Sequence, residues 1–308
     1  MKTNQSSFVR TILTAFLAAT LAGAAVAHEQ STSKSGNFSF SWNFGSNTQY
    51  GNNRTKGSGE VKEESRNVAN FSRVLLALPA DVVLTQSNTE SLSIAADDNL
   101  LPLMTTRVEN GELVIEGDKN RGFTTRNGIK IRLSVKSLNG ITIKGSGDIH
   151  GDQLNTDKFD LAIMGSGDVR FKSIRADQFK LNIKGSGDVT VSALDSKTVD
   201  AAIHGSGDIK LPALQAKTVN FSVNGSGDIQ ASGNADKVDV EINGSGDVRT
   251  RRLVAREANV RISASGDAAV HASEKLTARV SGSGDIRYAG SPASVDRTIR
   301  GSGSIEPI

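Results

Sequence analysis

The run Ile141-Thr142-Ile143-Lys144-Gly145-Ser146-Gly147-Asp148-Ile149 decides the fold. It returns as Leu161-Ala162-Ile163-Met164-Gly165-Ser166-Gly167-Asp168-Val169, and again as Leu181-Asn182-Ile183-Lys184-Gly185-Ser186-Gly187-Asp188-Val189. Apolar residues recur at every second position up to a Gly-Ser-Gly-Asp break, and another apolar residue follows at once. Such alternation, rich in β-branched residues, is strand signal. The break recurs at Gly205-Ser206-Gly207-Asp208, Gly225-Ser226-Gly227-Asp228 and Gly244-Ser245-Gly246-Asp247. Variants follow at Ala264-Ser265-Gly266-Asp267, Gly282-Ser283-Gly284-Asp285 and Gly301-Ser302-Gly303-Ser304. From Gly145 to Gly225 the starts are evenly spaced; the intervals ending at Gly244 and Gly301 are one residue shorter, and the interval ending at Gly282 is shorter by two. Seventeen of the 31 glycines fall in these breaks, so the glycine excess belongs to the architecture.

Apolar residues keep fixed offsets from the break. Two positions before it stand Ile143, Ile163, Ile183, Ile203, Val223, Ile242, Ile262, Val280 and Ile299. Four before it come Ile141, Leu161, Leu181, Ala201, Phe221, Val240, Val260 and Ala278, and six before it Phe159, Phe179, Val199, Val219, Val238, Ala258, Leu276 and Val295. Directly after it comes an Ile, Val or Ala, and five residues later Leu154, Ile174, Leu194, Leu214 or Leu253. This predicts an all-β, single-stranded parallel β-helix, or β-solenoid, of about 20 residues per coil, a period at which repeat architectures are found. Each coil would be a three-tooth strand, a sharp corner and a looser second strand. Roughly five inward aliphatics per coil cannot offset chain ordering unless neighbouring coils cover the same columns, so stacking is obligatory. Units this short, broken by Gly-x-Gly, cannot hold an amphipathic helix, and a propeller blade needs about 40 residues. A right-handed coil is expected because parallel crossovers generally are.

At the corners, Gly145, Gly147, Gly165, Gly167, Gly185, Gly187, Gly205, Gly207, Gly225, Gly227, Gly244 and Gly246 read as a structural turn column. They would supply backbone conformations that a side chain forbids. Asp148, Asp168, Asp188, Asp208, Asp228 and Asp247 would bond nearby amides. Stacked about 5 Å apart, these like charges repel by up to roughly 1 kcal/mol in water. Amide hydrogen bonds and Lys144, Arg170, Lys184, Lys210 and Arg249 can relieve that. Bound calcium is the sharper alternative, but one Asp per coil supplies too few of the usual six to eight oxygens. No metal or other cofactor is therefore expected. His28, His150, His204 and His271 occupy unrelated repeat positions, and no catalytic constellation emerges.

Outside the repeats, residues 1–27 read as a secretory signal, with Lys2 and Arg10, an apolar centre from Ile12 to Leu21, and a small-residue site at Ala25-Val26-Ala27. A periplasmic, secreted or surface location is expected. Residues 28–69 have the Ser, Asn and Gly content of a linker that cannot fold alone. Within them Phe38, Phe40, Trp42 and Phe44 alternate with polar residues and form a candidate capping or interaction strand. Residues 70–144, punctuated by Asn110-Gly111 and Asn127-Gly128, read as irregular entry coils of a domain that runs over 70–308. There is no cysteine, so packing and backbone pairing carry stability. The 36 Lys and Arg against 33 Asp and Glu fall by two with Lys2 and Arg10, leaving a mature excess of one. With basic residues scattered and no interleaved aromatics, a nucleic-acid partner is not expected. Arg297 at an otherwise apolar position, with Pro292 and Pro307, reads as edge protection, so a monomer or weak oligomer is expected.

The Gly-Ser-Gly-Asp ladder, together with Val82-Val83-Leu84, Asp97-Asp98-Asn99-Leu100 and Val108-Glu109-Asn110-Gly111-Glu112-Leu113, resembles the bacterial GIN-domain family, the putative auto-transporter adhesin head domain. The likeness spans about Asn70 to Ile308. It implies a β-helix related to the pectin-lyase superfold, no recognised catalytic set and a role in cell adhesion. No C-terminal barrel or coiled-coil stalk accompanies it. The expected function is a non-enzymatic exported scaffold presenting a repetitive β-surface to a glycan, an envelope component or a protein. The alternative is a polysaccharide-acting lyase or hydrolase on the same fold.

Overall fold

Each regular coil is one long bent strand that ends at the Gly-Ser-Gly-Asp corner. The strands Asp148–Ile163, Val169–Ile183, Val189–Ile203, Ile209–Val223, Ile229–Ile242 and Val248–Ile262 pair in parallel, each with the next. Pairing keeps the repeat register, so Val169 faces Val189, Ile174 faces Leu194 and Ile183 faces Ile203. The computed structural model describes residues 54–308. The predicted signal and the Phe38, Phe40, Trp42, Phe44 run lie outside the described residues. Among the described residues the one helix is a 3₁₀ turn at Leu101–Leu103, and no helix is long and apolar enough to cross a membrane.

A coil has three faces, one more than the two expected. Its buried side chains are Val169, Phe171, Ile174, Ala176, Phe179, Leu181 and Ile183. Steps of two keep side chains on one face, whereas the steps of three from Phe171 to Ile174 and from Ala176 to Phe179 bend the strand onto a new one. Ile174 and Ala176 thus form a short third face. In the next coils Ala176 is matched by Ser196 and Ala216. Residues this small leave little periodic signal, yet Ser196 is buried, its hydroxyl donating to the Thr198 carbonyl oxygen at 2.9 Å.

The third position after each corner Asp is a further inward column with no constant residue type: Gly151, Phe171, Val191, Leu211, Ala231, Thr250, Val270 and Tyr288. Volume is traded between coils there. A side chain on Gly151 would run into the Phe171 ring. That ring lies edge-on to Phe159 at 5.9 Å, and Phe159 stacks on Phe179 at 6.1 Å.

Residues 54–144 build a cap with a coil order the sequence does not show. Arg73–Ala77 and Asp81–Gln86 form the first coil, on which Gly140–Ile143 and the start of Asp148–Ile163 stack in parallel. Leu78-Pro79-Ala80 stands where later coils have Gly-Ser-Gly. The chain then lays Glu112–Gly117 and Lys130–Val135 against the opposite edges of those same strands, also in parallel. The first coil written is therefore second in space. Its outer neighbour is closed by antiparallel strands, Met104–Glu109 on Glu112–Gly117 and Ser91–Asp97 on Lys130–Val135. Asn110 and Gly111 make the predicted tight turn, with φ of 52° and 74°.

The charged stretch Glu60 to Arg66, a linker by composition, forms the edge strand Val61–Arg66, antiparallel to Ser91–Asp97. It folds because it borrows a partner, and its exposed charges discourage further edge pairing. The Asp97-Asp98-Asn99 run fixes the preceding segment. Gly59 N–H, the Asn127 amide and the Thr125 hydroxyl donate to the Asp97 carboxylate at 3.1, 2.8 and 2.5 Å. Asp98 accepts from the Ser58 hydroxyl at 2.6 Å and pairs with Lys62 at 3.0 Å. Asn99 accepts from Ser58 N–H and donates to the Lys56 carbonyl, both at 2.9 Å. Gly57 packs so closely on Asp97 that a side chain would collide with its carboxylate.

Asp97 is buried, and the hydroxyl of Thr125, then the amide of Asn127, hold its carboxyl below the ordinary aspartate value of 3.8, outweighing desolvation. A depressed folded value contributes stability above the unfolded value that is lost as pH falls through the folded one. Amide exchange at residues 57–60, measured from pH 6 downward relative to the central coils, should therefore accelerate only below about pH 4. In Asp97→Asn it should be fast throughout and lack that acid-induced step. A step unchanged in the variant would assign it to another group.

Candidate functional site

The corner column, the strongest signal in the sequence, is filled by its own neighbours. Each Asp carboxylate accepts the backbone N–H of the corresponding residue one coil on: Asp168 to Asp148 at 2.7 Å, Asp188 to Asp168 at 2.9 Å, Asp208 to Asp188 at 2.8 Å and Asp228 to Asp208 at 2.9 Å. The series continues through Asp247, Asp267 and Asp285 to Ser304. One oxygen of every carboxylate is committed to holding the next coil.

The second oxygen is charge-balanced at several levels. Arg170 meets Asp168 at 2.7 Å, and Arg249 bridges Asp228 and Asp247 at 2.5 and 2.7 Å. Lys210 and Arg287 approach Asp208 and Asp285 at 3.8 and 3.6 Å. Arg287 thus joins the expected partners, whereas Lys144 and Lys184 make no such pair among the described residues. The Asp column sits beside a mostly basic outward column and is not a bare acidic stripe.

The corner glycines are required for a different reason from the one expected. Glycines of the first eight corners have no positive φ. A Cβ on Gly165, Gly185, Gly205, Gly225 or Gly244 would overlap the carbonyl oxygen of the matching glycine one coil earlier, and the same holds for Gly167, Gly187, Gly207, Gly227 and Gly246. Close stacking, and not backbone conformation, excludes a side chain. Ala264 is the exception. There the Gly244 carbonyl accepts from Gly266 N–H at 3.2 Å, whereas Ser186, Ser206 and Ser226 N–H fill that role in earlier coils.

What the solenoid offers to solution is an open groove of about 840 Å³ along its outer face. Its walls are the outward residues of successive strands, among them Lys180, Asn182, Asp200, Asn220, Asp239 and Asn259. In one column the order runs Asp160, Lys180, Asp200, Asn220, Asp239, Asn259, Thr277, Asp296, so each acid neighbours a different residue type on the next coil. Like charges are kept apart, in contrast to the corner. The amides of Asn220 and Asn259 donate to Asp200 and Asp239 at 2.5 and 2.6 Å. Asn220 and Asn259 are thus fixed against the neighbouring coil, and Lys237 is held by Asp239 at 2.8 Å.

Among the described residues no group of three or more His, Cys, Asp or Glu is placed to hold a metal ion. His150 and His204 are exposed and His271 is half-buried, each in a different column. Phe159, Phe171, Phe179, Phe221 and Tyr288 are buried in the core.

The family model described as "Putative auto-transporter adhesin, head GIN domain" matches residues 70–194 and 180–292. The chain belongs to the GIN-domain family. The two matches overlap at residues 180–194. A crystal structure described as a putative lipid binding protein from Parabacteroides distasonis is 26% identical, covers 83% of this chain and 99% of its own, and superposes with a TM-score of 0.65. Putative adhesins from Parabacteroides distasonis (24%, TM-score 0.65) and Parabacteroides merdae (22%, 0.63) cover 83% of this chain and 100% and 99% of themselves, and show the same fold. Comparison with curated proteins yields no match.

Proposed function

We propose that this GIN domain is a non-catalytic, adhesion-type scaffold that docks an extended polar chain of the cell envelope, a glycan or a peptide, along the outer groove. The observation that carries the reading is the groove wall, in which hydrogen-bonding side chains recur at the coil spacing and are locked in place by their neighbours. Such a surface binds without first ordering itself, which lowers the cost of association. An extended polymer can meet several equivalent positions in turn, so weak contacts add along its length. The family description and the adhesin relatives support the adhesion class. Lys2, Arg10, the Ile12 to Leu21 run and Ala25-Val26-Ala27 support export, which would put the groove in contact with envelope polymers. Residues 70–308 would form the functional domain, preceded by the linker 28–69, whose strand Val61–Arg66 pairs with it.

Immobilised mature protein should retain a subset of cell-wall and surface glycans or peptides. The triple substitution Lys180→Ala, Asn220→Ala, Asn259→Ala should weaken retention about tenfold or more while leaving the far-ultraviolet circular dichroism unchanged. Retention unaffected by the triple change would remove the groove from the function. Reproducible shortening of a glycan during incubation would replace the binding reading with an enzymatic one.

A further inference from the structure

One coil is shorter than its neighbours, and the missing residue leaves a hole. The coil that runs from Gly225 to the next corner at Gly244 lacks one residue that each of the four before it has. Register locates the loss. Leu211 pairs with Ala231 and Leu214 with Gly233, so Pro212 and Ala213 together oppose Ser232 alone. On the other side Gln230 pairs with Arg249 and Ser232 with Arg252, so Thr250 and Arg251 oppose Ala231. Gly233 occupies the inward slot of Leu214 with a φ of 131°. Drawn inward at this corner, the short coil leaves a notch between its two neighbours. They stand about 10 Å apart, twice the strand spacing.

The notch has a volume of about 640 Å³ and is lined by Lys210, Arg249, Arg251, Arg252, the Ser232 hydroxyl and the apolar edges of Leu211, Pro212 and Ala231, with no carboxylate. Ser232 is held in the floor by donating to the Pro212 carbonyl at 2.6 Å. The Arg249 guanidinium is oriented by Asp228 and Asp247, which accept from its two terminal nitrogens. Arg251 and Arg252 differ from most arginines of the coils. Arg170, Arg175, Arg256 and Arg279 are paired with carboxylates at 2.7, 3.2, 2.8 and 3.4 Å. Among the described residues neither Arg251 nor Arg252 has a carboxylate within 4.0 Å. Lys210 and Arg249 at the rim are balanced by Asp208, Asp228 and Asp247, so it is the two exposed, uncompensated guanidiniums of Arg251 and Arg252 at the mouth of a concave site that concentrate positive potential. Guanidinium matches a tetrahedral oxyanion in bidentate fashion.

We infer that this notch is a binding site for a tetrahedral oxyanion, a phosphate or sulfate group carried by a lipid or a polymer. Arg251 and Arg252 grip it, with Lys210 at the rim. The site lies on a different face from the outer groove and stands or falls independently of the groove's role.

Titration of the mature protein with inorganic phosphate, and separately with sulfate, should shift the amide resonances of residues 230–233 and 249–252 in a saturable way that weakens with added salt. The double variant Arg251→Gln, Arg252→Gln should lower the affinity about tenfold or more. Insertion of one alanine between Ser232 and Gly233 restores the full coil length and should abolish the shifts with every arginine retained. Sedimentation with phosphatidylglycerol but not phosphatidylcholine vesicles, competed by phosphate and lost in the double variant, would identify a lipid source. Capture of sulfated or phosphorylated polysaccharide with the same dependence would identify a polymer. Absence of saturable shifts, or shifts that survive both the double variant and the insertion, would overturn the assignment.

Discussion

Gly187→Ala is expected to destabilise the protein by about 3 kcal/mol, the upper end of over-packing penalties. Gly187 is buried, and a methyl there would overlap the Gly167 carbonyl oxygen and stand 2.8 Å from the Gly167 carbonyl carbon. Backbone fills that direction, so no side chain can swing aside. Relief requires the coils to part, which strains the Asp188 amide to Asp168 carboxylate bond directly beside it. Gly185→Ala should cost less, because Ala264 shows that the first corner position can accept a methyl when the amide of its own corner that bonds the coil before shifts by one residue. Ser186→Ala, on the exposed tip, should stay within about 0.5 kcal/mol. Urea unfolding followed by circular dichroism ranks the three. Losses within about 0.5 kcal/mol at both 185 and 187 would mean that stacking distance is not what selects glycine.

Phe171→Ala should cost about 3 to 5 kcal/mol, the range for emptying a buried phenylalanine site. The ring fills the space left by Gly151 one coil earlier and closes on Phe159, so its removal opens a void spanning two coils. The same geometry predicts a change of sign. Gly151→Leu alone should be severely destabilising because its side chain enters the Phe171 ring. Combined with Phe171→Ala it should recover more than about 1 kcal/mol relative to Phe171→Ala alone, since the new side chain refills the void. Thermal melts of the four proteins close the cycle. Additive losses would show that the two positions do not share one volume.

These two cases mark where the fold is legible in the sequence and where it is not. Columns such as Ile163, Ile183, Ile203 and Phe159, Phe179, Val199 keep one residue character through the coils, so periodicity alone exposes them and, with them, the solenoid. In the Gly151, Phe171, Val191, Leu211 column residue size changes from coil to coil, with Gly151 leaving room for the Phe171 ring, and a pattern read within one coil cannot see it. The third face is hidden because Ala176, Ser196 and Ala216 are small and because the chain enters and leaves that face by steps of three. The corner Asp residues stand out at once, but their bonds run to the corresponding residue of the next coil, a relation that exists only once the coils stack. The shortened spacing after Gly225 is visible in the sequence. Only pairing of Leu211 with Ala231 and of Leu214 with Gly233 shows which side of the coil lost the residue, and so where the notch opens.

The inverted order of the first two coils bears on how such a protein is made and how it can change. As the chain emerges, Arg73–Gln86 is flanked on one side by strands that end at Val135 and on the other by Gly140 onward, so no edge of the initial coil stays available once those segments arrive. Growth is left with one direction. A duplication or loss of one whole coil after Gly145 would lengthen or shorten the stack without disturbing the latch around Asp97 or the reversed strands beside it. Reach from the capped end then becomes a quantity that evolution can adjust in steps of about 5 Å, with the surface chemistry of each added step free to differ from the last.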